Sequence, residues 1–247
     1  MEVSTPYSRE FYLGQRGGSY TSASVIVPIV KEIFGPKSVC DVGCGVGTWL
    51  RAWKDNGVSA VCGFDGDYVD RSQLMIDAAN FRCHDLRKPL PSEAKYDLAM
   101  SLEVAEHLPP ERSESFIAEL TALAPVVLFS AAIPQQGGTD HINERWQSYW
   151  AGLFARHGFS PLDVIRPAVW ENEAVERWYR QNVIVYCRND VIAHYASRSA
   201  ARALPLSIVH PKQYIEIREE YNVIGAFGLL RGAVHRAISR RLGIRAK

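Results

Sequence analysis

The chain has 247 residues, with 28 Lys plus Arg against 27 Asp plus Glu, a formal net charge of +1, and 47% hydrophobic residues. That balance belongs to a folded globular chain and excludes a disordered or fibrous one. So small a net charge also argues against nucleic acid as a bulk partner, because neutralising phosphates takes a clear excess of Lys and Arg. No apolar run approaches the ~18 residues of a membrane span, and Met1-Glu2-Val3-Ser4-Thr5-Pro6 lacks a basic stretch followed by an apolar one. A soluble, non-exported protein is expected. The five cysteines (Cys40, Cys44, Cys62, Cys83, Cys187) are odd in number and show no Cys-x-x-Cys spacing. They speak against a disulfide framework or a cysteine zinc site and for the reducing cytoplasm.

In chain order, Thr21 and Ser22 are helix-capping types. They predict a helix from there that carries Val25, Ile29 and Ile33 on one face until Gly35-Pro36 stops it. Strands are predicted at Ser38–Val42, Ala60–Phe64, Phe81–His84, Tyr96–Leu102 and Pro125–Ala131, with helices at Thr48–Asn56, Val69–Asp77 and Glu111–Leu123. A glycine-bearing loop, residues 134–138, leads to a helix over about Glu144–His157, then strands near Leu162–Arg166 and Asn182–Cys187. Apolar β-branched runs alternating with helices predict an α/β fold, a doubly wound, seven-stranded, mostly parallel sheet covered on both faces. Residues 1–190 are expected to form this domain, including an N-terminal helical cover, and residues 191–247 an appendage. No acidic residue follows Glu220, while Arg231, Arg236, Arg240, Arg241, Arg245 and Lys247 do, with Leu229, Ala233, Val234, Ala237 and Ile238 at helical spacing. This predicts a basic amphipathic helix, either docked on its own domain or in peripheral contact with an anionic membrane or a partner.

The most informative stretch runs from Val39 to Leu50, where a strand ends in Asp41-x-Gly43-x-Gly45-x-Gly47 and a helix follows. Glycines there let a ligand approach the backbone, as at a nucleotide site on the carboxyl end of a first strand. The dinucleotide fingerprint needs a glycine at position 48, which is Thr48, and this disfavours a nicotinamide oxidoreductase. At these residues the chain resembles the class I S-adenosylmethionine-dependent methyltransferases. It is similar to a group of bacterial members through Ser101-Leu102-Glu103-Val104-Ala105-Glu106-His107-Leu108, the stretch from Gly137 to Glu144, and Trp178-Tyr179-Arg180-Gln181-Asn182. The resemblance implies S-adenosylmethionine as cofactor, with Gly43, Gly45 and Gly47 along its methionine part. It implies that Asp41 orients the loop or meets the ammonium, and that Asp65 of Phe64-Asp65-Gly66 accepts from both ribose hydroxyls. Asp85 and Leu86 of the third strand's end would lie at the adenine, and Ser101 beside the methyl group.

Methyl transfer from a sulfonium is an in-line displacement, so the protein must align the reactants, exclude water and remove the acceptor's proton. A hydroxyl acceptor calls for a base or a metal. Glu103, Glu106 and His107 share one face if the segment after the fourth strand is helical, and His141 follows the fifth strand toward the same crevice. This set resembles the Glu-x-x-Glu-His motif of the small-RNA 3′-terminal ribose 2′-O-methyltransferases, which add a later His, and of the ubiquinone-pathway O-methyltransferases. It implies Glu103, Glu106, His107 and His141 as ligands of Mg²⁺ or another divalent ion such as Mn²⁺ or Zn²⁺. Metal-free relatives also carry Glu-His here; in that case His141 is the expected general base, oriented by Glu144 or Asp140, with His107 and Glu106 beside it. Trp146, Tyr149, Trp150, Leu153 and Phe154 repeat at helical spacing and are expected to pack in the core. Tyr12, Arg16 and Tyr20 either close the cofactor side or pack. Trp170, Trp178, Tyr179 and Arg180 are candidates for lining a ring-shaped acceptor.

The expected activity is O-methylation of a small-molecule hydroxyl, a sugar or glycan, glycolipid or secondary metabolite being favoured. The alternatives are an RNA ribose 2′-O-methyltransferase, whose basic stripe the core lacks, and a non-catalytic cofactor-binding scaffold. The sequence leaves monomer and homodimer open.

Overall fold

A computed structural model describes residues 9–91, 94–197 and 205–219, which fall into two units, Met1–Ile208 and Val209–Lys247. The first unit runs α1 (Arg9–Phe34), β1 (Ser38–Val42), α2 (Thr48–Asp55), β2 (Ala60–Asp65), β3 (Phe81–Cys83), β4 (Leu98–Leu102), α3 (Ser113–Leu123) and β5 (Val126–Ser130). It continues with α4 (Gln147–Arg156), β6 (Phe159–Leu162), α5 (Arg166–Val169), α6 (Arg177–Asn182), β7 (Ile184–Arg188) and α7 (Ile192–Ala196). The strands form one seven-stranded sheet in the order β3-β2-β1-β4-β5-β7-β6. β1 to β5 pair in parallel, and β7 runs antiparallel to both β5 and β6. The expected doubly wound α/β architecture is the one found.

Strand residues alternate between two cores because successive side chains point to opposite faces. Val39, Leu98, Met100, Val126 and Leu128 meet Ile26 and Val30 of α1 and Leu50 and Trp53 of α2. Cys40, Val42, Ala99, Val127 and Phe129 meet Phe116 and Leu120 of α3 and Trp150 and Phe154 of α4. Both faces being covered, the inner strands read as nearly unbroken apolar runs. Among the described residues no helix is long and apolar enough to cross a membrane.

Local differences from the sequence reading have physical causes. α1 begins at Arg9, well before Thr21 and Ser22, whose hydroxyls turn back to the carbonyls of Gly17 (2.8 Å) and Gly18 (2.7 Å). Burial of Ala23, Ile26, Val27 and Val30 holds this helix, so capping-type residues sit inside it as back-bonding ones. Residues Val69–Asp77 form no α-helix. Asp70 caps a short 3₁₀ turn by accepting from Ser72 N (3.0 Å), and Met75 N donates to Val46 O (2.8 Å), tying the segment across the glycine loop. The sixth strand lies at Phe159–Leu162 rather than near Leu162–Arg166. Arg166 is fully buried instead, bonded to Asp163 and to the carbonyls of Pro205 and Leu206. In the second unit residues 211–219 are helical, and the basic helix expected around Leu229–Leu242 lies outside the described residues.

Candidate active site

The sheet order reverses between β1 and β4, and ligands of open α/β sheets bind beyond the carboxyl ends of the strands at such a point. From β1 the chain enters the glycine turn, where Gly43, Gly45 and Gly47 have φ of 90°, 54° and 82°. A Cβ on Gly43 would lie 2.3 Å from Val104 just past β4, so only glycine lets the two strand ends close up. At Gly45 nothing lies within 4 Å of a built Cβ, and the turn faces open space there. Gly43→Ala is expected to lose about 1–3 kcal/mol of stability from backbone strain alone. Thermal denaturation, with a fall of several degrees, checks it.

Asp65 at the end of β2 is 4% exposed and holds this turn. Its Oδ2 accepts from Gly45 N (2.6 Å), and its Oδ1 from Gly66 N (2.7 Å) and the Tyr68 hydroxyl. Burial raises its carboxyl above the usual range, against the pull of those three donors. Asp41 is buried beside it, and burial first, then the Asp65 charge, pushes its carboxyl well up. Two buried acids at adjacent strand ends make a place where a nearby positive charge is favourable. Asp85 stands at the end of β3, but both its oxygens are taken by Arg87, at 2.8 and 3.0 Å, which holds its carboxyl at about 2. Leu86 is buried next to it. Ser101 in β4 is fully buried, and its hydroxyl has no protein partner. Asp97 lies at the opposite, amino-terminal end of the strands, where it accepts from Lys37 N (2.8 Å) and Ser38 N (3.0 Å) and brackets β1 to β4.

After β4 the chain bends instead of continuing as a helix. Glu103 adopts φ 56°, and Ala105–His107 make a single 3₁₀ turn. The face expected to unite Glu103, Glu106 and His107 is therefore not formed. Glu103 turns to Gln136 Nε2 (2.7 Å) and Asn182 Nδ2 (3.3 Å), while its own N–H donates to Ser130. Glu106, His107 and His141 are brought together, each with a ligand-type atom within 4.8 Å of the others. The His107 and His141 rings meet edge to face at 4.8 Å. His141 Nδ1 lies 3.0 Å from Glu144 Oε1, which fixes the ring, and its Nε2 lies over Gly138, where a Cβ would come within 2.3 Å of it. The loop is tied down by Ile142 N and Asn143 N, both donating to Glu106 O (2.9 and 3.0 Å).

The electrostatics follow from burial. Glu106 is fully buried, and desolvation first, then the Glu103 charge, raises its carboxyl well above the ordinary value. Its Oε1 accepts from Ala132 N (3.2 Å), whereas Oε2 and His107 Nδ1 are buried without a partner. Burial and the neighbouring His141 lower the His107 pKa. Buried ligand-type atoms on two of the three clustered residues thus have no protein donor or acceptor, the condition in which a cation can be bound by them. The donor set therefore fits a divalent metal in kind, though a single ion would have to draw ligand atoms up to 4.8 Å apart in to about 3.4 Å, the separation of tetrahedral ligands at ~2.1 Å.

One feature was not anticipated from the sequence, a buried amide cluster of Gln136, Gln147, Gln181 and Asn182 under Glu103. Its only signal is two amides placed directly ahead of the apolar run Val183–Val185. The aromatic stripe divides: Trp150, Leu153 and Phe154 are buried, while Trp146 and Tyr149 are 43% and 37% exposed. Tyr179 is buried at 3.4 Å from Trp49 Nε1, and Tyr20 bonds to Asp55 at the surface. The side chains of Tyr12 and Arg16 lie outside the described residues.

A parallel sheet reversing at β1 and β4, with a glycine turn and an acid at the next strand end, is the fold of the class I S-adenosylmethionine-dependent methyltransferases. Residues 16–166, more than half of the chain, match the family model described as "Methyltransferase domain", and the chain belongs to that family. The magnesium protoporphyrin IX methyltransferase ChlM of Synechocystis PCC 6803, solved with bound SAM, is 22% identical over 70% of this chain and 83% of its own, with a TM-score of 0.50. The sugar N-methyltransferase KedS8 of Streptoalloteichus sp ATCC 53650 reaches a TM-score of 0.59 at 12% identity, over 76% of this chain and 95% of its own. The methyltransferase domain of bacterial CtHen1-C gives 0.51 at 20% identity, over 68% and 97%. At such identities the likeness is one of fold. A probable chloroplastic tocopherol O-methyltransferase of Oryza sativa subsp. japonica is 34% identical over 99 residues, 36% of this chain and 26% of that protein's length.

Proposed function

We propose that this methyltransferase transfers the methyl group of S-adenosylmethionine to a hydroxyl of a small molecule, a sugar-like acceptor being favoured. The observation that carries the reading is the Glu106, His107 and His141 group, with His141 held by Glu144 at 3.0 Å. It lies one short turn beyond Val104, the residue packed on Gly43. Gly43, Gly45 and Gly47 would follow the cofactor's methionine part, Asp41 its ammonium, Asp65 its ribose diol, and Leu86 its adenine edge. Asp85 would reach the adenine only by giving up Arg87.

An amine acceptor above its pKa needs no base, but a hydroxyl is a poor nucleophile until its proton is leaving. With Nδ1–H donated to Glu144, His141 keeps a lone pair on Nε2, the nitrogen that lies over Gly138. That one tautomer serves the chain in two ways, by taking the hydroxyl proton or by holding a metal with Glu106 and His107. A divalent ion, when bound, supplies acidification and orientation of the acceptor hydroxyl. Two imidazoles and one carboxylate suit Mn²⁺ or Zn²⁺ better than Mg²⁺. Glu103, pinned by Gln136 and Asn182, then acts from behind as the neighbour that adds to burial in raising the Glu106 carboxyl.

S-adenosylmethionine with a labelled methyl group, incubated with the protein and with separated pools of polar metabolites and glycans, lipids, and RNA, tests the reading. Label is expected in the glycan or metabolite pool, as an alkali-stable methyl ether. Label confined to RNA overturns it in favour of ribose methylation, and label on nitrogen overturns the choice of hydroxyl.

A further inference from the structure

Asp65 presents a counting problem that rests on its proposed role as the ribose carboxylate. An ionised carboxylate has about four lone-pair positions, two on each oxygen. Oδ1 accepts from Gly66 N (2.7 Å) and from the Tyr68 hydroxyl, and Oδ2 accepts from Gly45 N (2.6 Å). Oδ1 is filled, and only Oδ2 has room. A vicinal diol brings two O–H donors spaced to reach one oxygen each, so it cannot dock until one donor leaves Oδ1.

The donors differ in how much of the sheet their withdrawal would disturb. Gly45 N belongs to the glycine turn, which Gly43 N and Cys44 N fasten to Phe64 O (2.8 and 3.1 Å). Gly66 N follows Asp65 directly, and the Asp65 carbonyl is itself held by His84 N (2.7 Å). Withdrawing either amide would open the ends of β1 and β2. Tyr68, by contrast, is 46% exposed and approaches from a loop. Its ring lies against Gly66, where a Cβ would come within 2.2 Å of a ring carbon, so position 66 has no side chain to obstruct it.

We infer that Tyr68 is an affinity-setting residue for the cofactor: its hydroxyl stands in for a ribose hydroxyl on Asp65 and is displaced when the cofactor's ribose docks. While the site is empty, Tyr68 satisfies a buried carboxylate that already faces the buried Asp41. After methyl transfer the same hydroxyl competes with the ribose of S-adenosylhomocysteine and so favours release of that product. The exchange trades one hydrogen bond to a carboxylate for another, and its cost appears as weaker binding of any ligand that uses the diol.

Calorimetric titration with S-adenosylhomocysteine tests this in the full chain. Tyr68→Phe is expected to bind about three- to tenfold more tightly than the unaltered protein, the scale of one net hydrogen bond. Binding that is unchanged or weaker overturns the latch. A second readout needs no altered protein at the binding step. In a sample carrying ¹³Cζ-tyrosine, the signal missing from Tyr68→Phe is expected to shift on saturation with S-adenosylhomocysteine, and a stationary signal overturns the inference. Asp65→Ala separates the two levels of the argument. If it keeps full affinity, the ribose role of Asp65 fails. If it loses affinity while Tyr68→Phe does not gain, the latch alone fails.

Discussion

Asp65→Ala is expected to weaken binding of S-adenosylmethionine and S-adenosylhomocysteine by at least ~100-fold while leaving the protein folded. A diol held on both carboxylate oxygens makes two charge-assisted hydrogen bonds, each contributing about 1.5–3 kcal/mol, and about 1.4 kcal/mol is tenfold in affinity. The substitution also strips Gly45 N and Gly66 N of their acceptor, so the glycine turn loses its brace. Folding itself loses less. Burial holds the Asp65 carboxyl above its unfolded value, so its ionisation in the native state costs stability that grows as pH rises from about 4 through the raised value. Alanine removes that cost along with the hydrogen bonds. Calorimetry read beside a thermal melt distinguishes these effects, and affinity within threefold of the unaltered protein takes Asp65 out of the site.

The parts of this molecule that could be read from the sequence are those where one local pattern and the global fold agree. Ser38–Val42 is a largely apolar run ended by glycines, and its bounds are those the sequence predicts because a buried parallel strand and a tight turn both demand that composition. The order of strand ends followed from the same logic. What could not be read is where tertiary contacts override local preference. Thr21 and Ser22 look like a helix start and lie inside α1, since the apolar face on Ala23, Ile26 and Val27 is worth more than a cap. Glu103, Glu106 and His107 have perfect helical spacing, but Glu103 takes a left-handed backbone so that its carboxylate can reach Gln136 and Asn182. Those amides are 33 and 79 residues away in the chain, and no spacing rule links them. The geometry that brings His141 to Glu106 and His107 is legible only in three dimensions.

His141→Ala is expected to lower turnover by at least ~100-fold with cofactor affinity unchanged, the scale of losing a group that moves a proton or holds a catalytic ion. The rate is read with the acceptor pool that takes up label, and near-normal turnover sinks the role. Glu106→Gln decides which of the two uses applies. The amide matches the carboxyl in size and keeps an acceptor for Ala132 N, so the fold has little reason to suffer. If a divalent ion is held, Mn²⁺ titrated into the unaltered protein binds, and both His141→Ala and Glu106→Gln lose at least ~10-fold in that affinity. Turnover then falls in both variants and is abolished by exhaustive chelation. If His141 acts alone as the base, Mn²⁺ does not bind and activity survives chelation. Glu106→Gln then stays close to the unaltered rate, because a neutral amide replaces a carboxyl that burial and Glu103 already push toward its neutral form. Glu144→Gln is informative in both cases, since it removes the negative charge that stabilises a positive imidazole while keeping an acceptor for Nδ1–H. A base loses more from that change than a ligand does, because only the base must carry the proton.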